Sequence, residues 1–205
     1  MSSPTLATWS VMTGKLKGIP ALNTSPLVNK FCQAMNKAKR AACAACYSIR
    51  MLQTSRQNCA PSWENNGRYL SERVHPGRYL PKPPNALYIR FSAHGELINL
   101  AHAVNLLRIC DLAPSTTFSL WTKRPGLVIK AIEQHGAKPS NLILIFSNDQ
   151  EFNKAAALPP GFDKTFNNQT EKDKGAPSNC FGACLDCLKC YTLEDPTVNI
   201  FEVLK

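Results

Sequence analysis

Residues 86–149 read "ALYIRFSAHGELINLAHAVNLLRICDLAPSTTFSLWTKRPGLVIKAIEQHGAKPSNLILIFSND". Three short runs rich in β-branched, aromatic and aliphatic residues, "ALYIRFS", "TTFSLWT" and "NLILIFS", alternate with two longer segments of helical period. In "ELINLAHAVNLLRICDLA" the apolar residues Leu97, Leu100, Ala101, Val104 and Leu107 recur at spacings of three and four, which gives a helix one apolar face. "RPGLVIKAIEQHG" reads as a second helix, closed by Gly136. Strand, helix, strand, helix, strand predicts parallel strands covered by helices, an α/β fold.

Outward from this core the pattern weakens. Residues 1–85 read as irregular, apart from one helical stretch at about 26–57, "PLVNKFCQAMNKAKRAACAACYSIRMLQTSRQ". Pro26 suits a first helical turn, and Ala, Met, Lys and Arg are good helix formers. "HPGRYLPKPPN" has four prolines and reads as a loop. Residues 151–179 are polar and read as a loop or lid, and "VNIFEVL" after the final cysteines reads as a last strand. Apolar residues make up 44% of the 205, enough for one domain with a real core. No apolar run approaches the roughly eighteen residues needed to span a bilayer, so no membrane is expected. The N-terminus has neither a basic nor an apolar leader segment, so the expected location is cytoplasmic, with reduced thiols.

In parallel α/β folds, functional groups gather beyond the carboxyl ends of the strands. Each strand of the core ends in such groups: Arg90, Ser92, His94 and Glu96 after the first, Lys123 after the second, Ser147, Asn148 and Asp149 after the third. Helix capping and loop solvation would account for any one of them; the set of three favours a polar rim. His94, before Gly95, is placed as a general acid or base, with Glu96, Lys123 and Asp149 as further catalytic candidates. Arg90, Ser92 and Asn148 are candidates for holding a cofactor. His75, His102 and His135 read as surface or helix-packing residues.

The chain has nine cysteines, an odd number that fits no complete disulfide framework. Cys180, Cys184, Cys187 and Cys190 fall within eleven residues, spaced C-x3-C-x2-C-x2-C. Short loops of two or three residues let successive thiolates reach adjacent irons of a cubane cluster. Zinc is the rival, although four-cysteine zinc sites usually separate two knuckles by a longer loop. Cys32, Cys43 and Cys46 form a second group, and three thiolates would leave one iron of a [4Fe–4S] cluster open to a substrate or cofactor. Cys59 could complete that set, and Cys110, inside an apolar helix pattern, reads as core.

The formal charge is +10, and much of the basic excess precedes residue 80, interleaved with Trp63, Tyr69 and Tyr79. Nucleic acid is a possible partner on that ground. Two cubane clusters on eight thiolates would instead reduce +10 to about +6 and explain part of the excess.

The stretches "GKLKGIPALNTSP", "CAACYS", "YIRFSAHGEL", "FSLWTKRP" and "NLILIFSND", with the multi-cysteine tail, resemble the gene product 88 family of bacteriophages and mobile elements. Here Ala-His-Gly-Glu stands where Ser-Gly-Asp is more usual. The resemblance implies a partial parallel (β/α) barrel like that of radical S-adenosylmethionine enzymes, with iron–sulfur ligation, but no established reaction. Two expectations stand together. One is an enzyme with an open iron at the barrel mouth, taking S-adenosylmethionine or an unknown small-molecule substrate. The other is a non-catalytic iron–sulfur or zinc protein docking nucleic acid or a host protein.

Overall fold

The computed structural model describes residues 6–39, 41–148, 152–170, 178–180 and 182–203. Six strands form one sheet: β1 (Ala21–Leu22), β2 (Tyr88–Phe91), β3 (Thr117–Thr122), β4 (Leu142–Ser147), β5 (Lys164–Gln169) and β6 (Asn199–Val203). Sheet order repeats chain order, and every adjacent pair is parallel. Doubly wound sheets reverse order at a switch point; a sheet that keeps chain order is wound as a barrel is. Among the described residues β1 and β6 do not pair, so the sheet stays open.

The predicted core forms as read. Helix α4 (Leu100–Asp111) starts at Asn99, whose side chain accepts from the His102 N–H at 3.0 Å. Helix α5 (Pro125–His135) has Pro125 in its first turn and ends at Gly136, whose φ of +102° suits glycine alone. Together with α3 (Ala60–Glu72) these helices cover one face of the sheet. Leu22, Ile89, Phe91, Phe118, Leu120, Leu142 and Leu144 pack there against Leu70, Val104, Leu107, Val128 and Ala131. Each such side chain, fully buried, contributes about 1.5–3 kcal/mol.

Alternate residues point to the opposite, concave face. There Ile143, Ile145, Phe166 and Ile200 pack with Ile19, Cys190 and Tyr191, and Tyr88, Trp121, Cys180 and Cys184 lie against them. The cysteine-rich tail, including the single turn α6 (Cys184–Cys187), therefore fills the hollow of the sheet. Its other wall is the segment before β1: the Lys15 ammonium pairs with Glu202 of β6, and a Cβ on Gly18 would sit 2.7 Å from Leu185.

Three expectations change. The helix expected over 26–57 is two short ones, α1 (Lys30–Lys37) and α2 (Tyr47–Gln53), with a 3-10 turn at Ala41–Cys43 between them. Lys39 has a φ of +51°, and the Asn36 side chain donates to the Cys43 carbonyl at 2.8 Å, which turns the chain back. Residues 1–85, read as otherwise irregular, also supply β1 and α3. The polar stretch 151–179 contains β5, buried along its length although its residues are mostly polar. No helix among the described residues is long and apolar enough to cross a membrane.

Candidate functional site

The loop after β2 is set by backbone constraints. Ser92 and Gly95 have φ of +53° and +82°. The Thr24 N–H donates to the His94 carbonyl at 3.1 Å, and the His94 N–H donates to Asn23 Oδ1 at 2.9 Å. A Cβ on Gly95 would lie 2.3 Å from the Thr24 carbonyl oxygen, so only glycine allows this approach. Asn66 of α3 donates to the Asn23 carbonyl, and Asn29 donates to the Glu96 carbonyl, both at 2.9 Å. Sequence reasoning missed Asn23, Thr24, Asn29 and Asn66. "ALNTSPLVN" carries a signal for the first three, a short apolar run followed by polar residues, which is the pattern that located the other strand ends.

His94 is 7% exposed and stacked between Trp63, at 4.6 Å between ring centroids, and Tyr47, at 6.0 Å. Its Nδ1 lies 2.9 Å from the Ser48 hydroxyl. Burial, then the charges of Arg90 and Arg56, push its pKa down to about 4, so the ring is neutral at pH 7. Glu96 is buried and its carboxylate is filled by donors: Leu97 N–H at 2.8 Å, the Thr122 hydroxyl at 2.6 Å and Lys123 N–H at 2.8 Å. It works as a bracket between two strand ends. Lys123 Nζ donates to Ser147 Oγ at 3.0 Å. Asn148 donates to Asn167 Oδ1 and the Lys154 carbonyl, tying the end of β4 to β5. Ser92 donates its N–H to the Leu22 carbonyl at 3.1 Å. Asp149 lies outside the described residues.

The break between α1 and α2 decides where the early cysteines go. In one continuous helix Cys32 and Cys46 would stand about 21 Å apart along the axis. Instead the Cys32 thiol feels both Cys46 and Cys43. Burial first, then Glu96 and Cys46, push its pKa up, and Lys123 opposes them. The starts of α1 and α2 are held at the mouth, Asn29 donating to the Glu96 carbonyl and Ser48 meeting His94, which brings Cys32 and Cys46 toward it. The Cys59 thiol points to Asn58 Oδ1, 3.7 Å away. Cys110 is buried in α4 and its thiol donates to the Leu106 carbonyl at 3.4 Å.

Cys180, Cys184, Cys187 and Cys190 line one cavity on the concave face, with Leu188, Lys189, Tyr191 and Ile200. Leu188, with a φ of +51°, ends the turn that presents Cys184 and Cys187. Burial pushes the Cys190 thiol up to about 12 and raises Cys184, with Arg90 opposing in both, and raises Cys180, where Lys15 leads the opposition. Among the described residues, no three His, Cys, Asp or Glu side chains converge as the ligands of a single metal ion do.

Arg90 belongs to β2 and not to the His94 loop, although its charge acts on that ring. It extends from β2 over the concave face, 6% exposed, with its guanidinium 3.6 Å from the Trp121 ring centroid. The charges acting on it are those of Tyr191, Cys190 and Cys184. The aromatic residues among the N-terminal arginines also sort differently from expectation. Trp63 and Tyr69 are buried, the latter stacked on His75; Tyr79 is exposed, with the Arg78 guanidinium 4.9 Å from its ring centroid.

The family model described as gene product 88 matches residues 7–198. No curated protein matches the chain, and no solved structure does.

Proposed function

The chain belongs to the gene product 88 family, and we propose that it is an iron–sulfur protein of that phage type, holding [4Fe–4S] clusters at its two cysteine groups. The observation that carries this reading is the cavity lined by all four tail thiols. Their donor chemistry fits the group. Three of the four are buried enough to resist ionisation on their own, so they favour a site in which bound cations, not water, stabilise the thiolates. The tail group would close a four-thiolate centre. Cys32, Cys43 and Cys46 would hold a second one with a position left open.

In the catalytic form of this reading, the open sheet is a partial barrel of the radical S-adenosylmethionine kind and the early group stands at its mouth. A reduced cluster with an open iron would supply an electron to chelated S-adenosylmethionine. The chain's own residues then have plain tasks. Neutral His94, held by Ser48 and two rings, is an oriented imidazole. Lys123 brings a cation near Cys32, and Glu96 ties the loop that carries His94 to the strand end that carries Lys123. A second reading is a non-catalytic protein that docks nucleic acid or a host protein. Its support is the exposure of Arg68, Arg73, Arg78 and Tyr79.

Anaerobic purification with iron, sulfide and zinc analysis tests the cluster reading: iron with matching sulfide supports it, and stoichiometric zinc without sulfide overturns it. Incubation with S-adenosylmethionine and dithionite then separates the two forms. Release of 5′-deoxyadenosine supports the enzyme, and its absence with clusters intact supports the docking protein.

A further inference from the structure

Arg90 is a buried cation with no carboxylate partner among the described residues. Among the described residues the ion pairs are Lys15–Glu202, His135–Asp111 and Lys138–Asp163, and Arg90 is in none of them. Its guanidinium stacks on Trp121 and its Nε donates to the Phe91 carbonyl at 3.2 Å. An uncompensated buried charge costs several kcal/mol, and stacking on one ring returns only about 2 kcal/mol of that. No acidic residue among the described ones therefore supplies its negative counterpart.

The concave face shows where it belongs. Tyr191 is 3% exposed and lines the tail cavity. Its buried hydroxyl interacts with the Arg90 guanidinium. The Trp121 Nε1 is also buried on this face, and it has no hydrogen-bond partner among the described residues. Cation, hydroxyl and four thiols thus face one hollow.

We infer that Arg90 is the internal counter-charge of an anionic centre held by Cys180, Cys184, Cys187 and Cys190, and that it sets that centre's affinity and reduction potential. The inference rests on the proposed metal-holding role of the tail. Four thiolates around a cubane core, or around one zinc ion, carry a net charge of about −2. One electron takes a cubane to about −3, so a fixed cation beside it favours the reduced form.

The test uses the full chain with Cys43→Ser and Cys46→Ser, so that the tail centre alone is read, alongside R90Q and R90K in that background. With iron and sulfide bound, the reduced-to-oxidised ratio at a fixed applied potential should fall about tenfold in R90Q, a shift of 59 mV for a one-electron step. R90K, whose charge sits on a shorter arm, should lie between R90Q and the parent. Should R90Q fail to fold, R90K decides: a potential equal to or above the parent's overturns the inference. If the tail holds zinc and no sulfide, the cluster reading falls, and this inference stands or falls on about tenfold weaker zinc retention against a chelator in R90Q. Equal retention, an unshifted potential, or a tail that takes up no metal overturns it.

Discussion

The Thr122 hydroxyl donates a 2.6 Å hydrogen bond to the Glu96 carboxylate, joining the loop after β2 to the end of β3. With the N–H groups of Leu97 and Lys123 this leaves Glu96 as an acceptor held in place from both strands. Glu96→Gln keeps the shape but sets an amide donor against a donor, and should cost about 2 kcal/mol; Glu96→Ala should cost about 3 kcal/mol. Urea unfolding measures both. Unchanged stability in the pair would remove Glu96 from the framework and return it to the list of acid–base candidates.

Gly95→Ala should be among the most damaging single changes at the mouth. Its Cβ would meet the Thr24 backbone at a φ of +82°, so the loop must move away from residues 23–25. A loss of about 3 kcal/mol or more is expected, whereas Ala at the open helical position Gly126 should stabilise by about 0.5–1 kcal/mol. Denaturation midpoints of the two variants provide the comparison.

If the tail holds metal as proposed, removing one of its thiols should differ in kind from removing a core thiol. Cys184→Ser or Cys187→Ser should then abolish metal binding at the tail and loosen β6, because metal affinity would be folding free energy. Cys110→Ala should leave metal content unchanged and cost about 1 kcal/mol in packing. Metal analysis with thermal melts reads both effects, and equal metal loss from the two kinds of variant would show that Cys110 is a ligand.

Stability should decline in mild acid. His102 is 1% exposed and its Nδ1 accepts from the Ile98 N–H, so the buried ring is held neutral with a pKa of about 4. The folded pKa lies below the unfolded value. Between about pH 6.5 and pH 4 the unfolded chain therefore binds the extra proton, and stability falls as pH drops through that window. The full effect is about 3 kcal/mol at its lower end. His94 adds a decline in the same window. His102→Gln should flatten the pH dependence of the urea midpoint; an unaltered slope would mean that the ring is not the group being titrated.

If nucleic acid is the partner, binding should weaken steeply with salt and fall further when Arg68, Arg73 and Arg78 are neutralised together. All three are exposed, so the triple variant should fold normally. Filter binding across a salt series measures this, and affinity indifferent to both changes would leave a protein partner as the occupant of that surface.

The strands and helices of residues 86–149 were legible because hydropathy and burial agree there. They disagree in β5. Lys164, Thr165, Asn167, Asn168 and Gln169 are all buried, and Asn167 alone exchanges hydrogen bonds with Thr165, Asn148 and Ala156. A strand satisfied by side-chain amides looks like a loop when only apolar periodicity is read. Helix α3 was hidden for a related reason, since "APSWENNGRYLSE" mixes Pro, Asn and Gly, yet Pro61 falls in the first turn and Gly67 lies where Ile98 packs close. The mouth residues after β2 and β3 were found by position, whereas the setting of Arg90 was not legible, because it lies inside β2, before Phe91, and its side chain faces Trp121 on the concave side.

The pairing of Lys15 with Glu202 joins positions 187 residues apart, and Gly18 meets Leu185 across a similar span. The inner wall of the sheet therefore has a very high contact order. The segment around residue 15 must wait, during synthesis, until the segment around residue 202 has emerged before its final neighbours exist. Until then the thiols at the mouth and those of the tail belong to separate, unfinished surfaces, and assembly of the tail cavity falls to the last stage of folding.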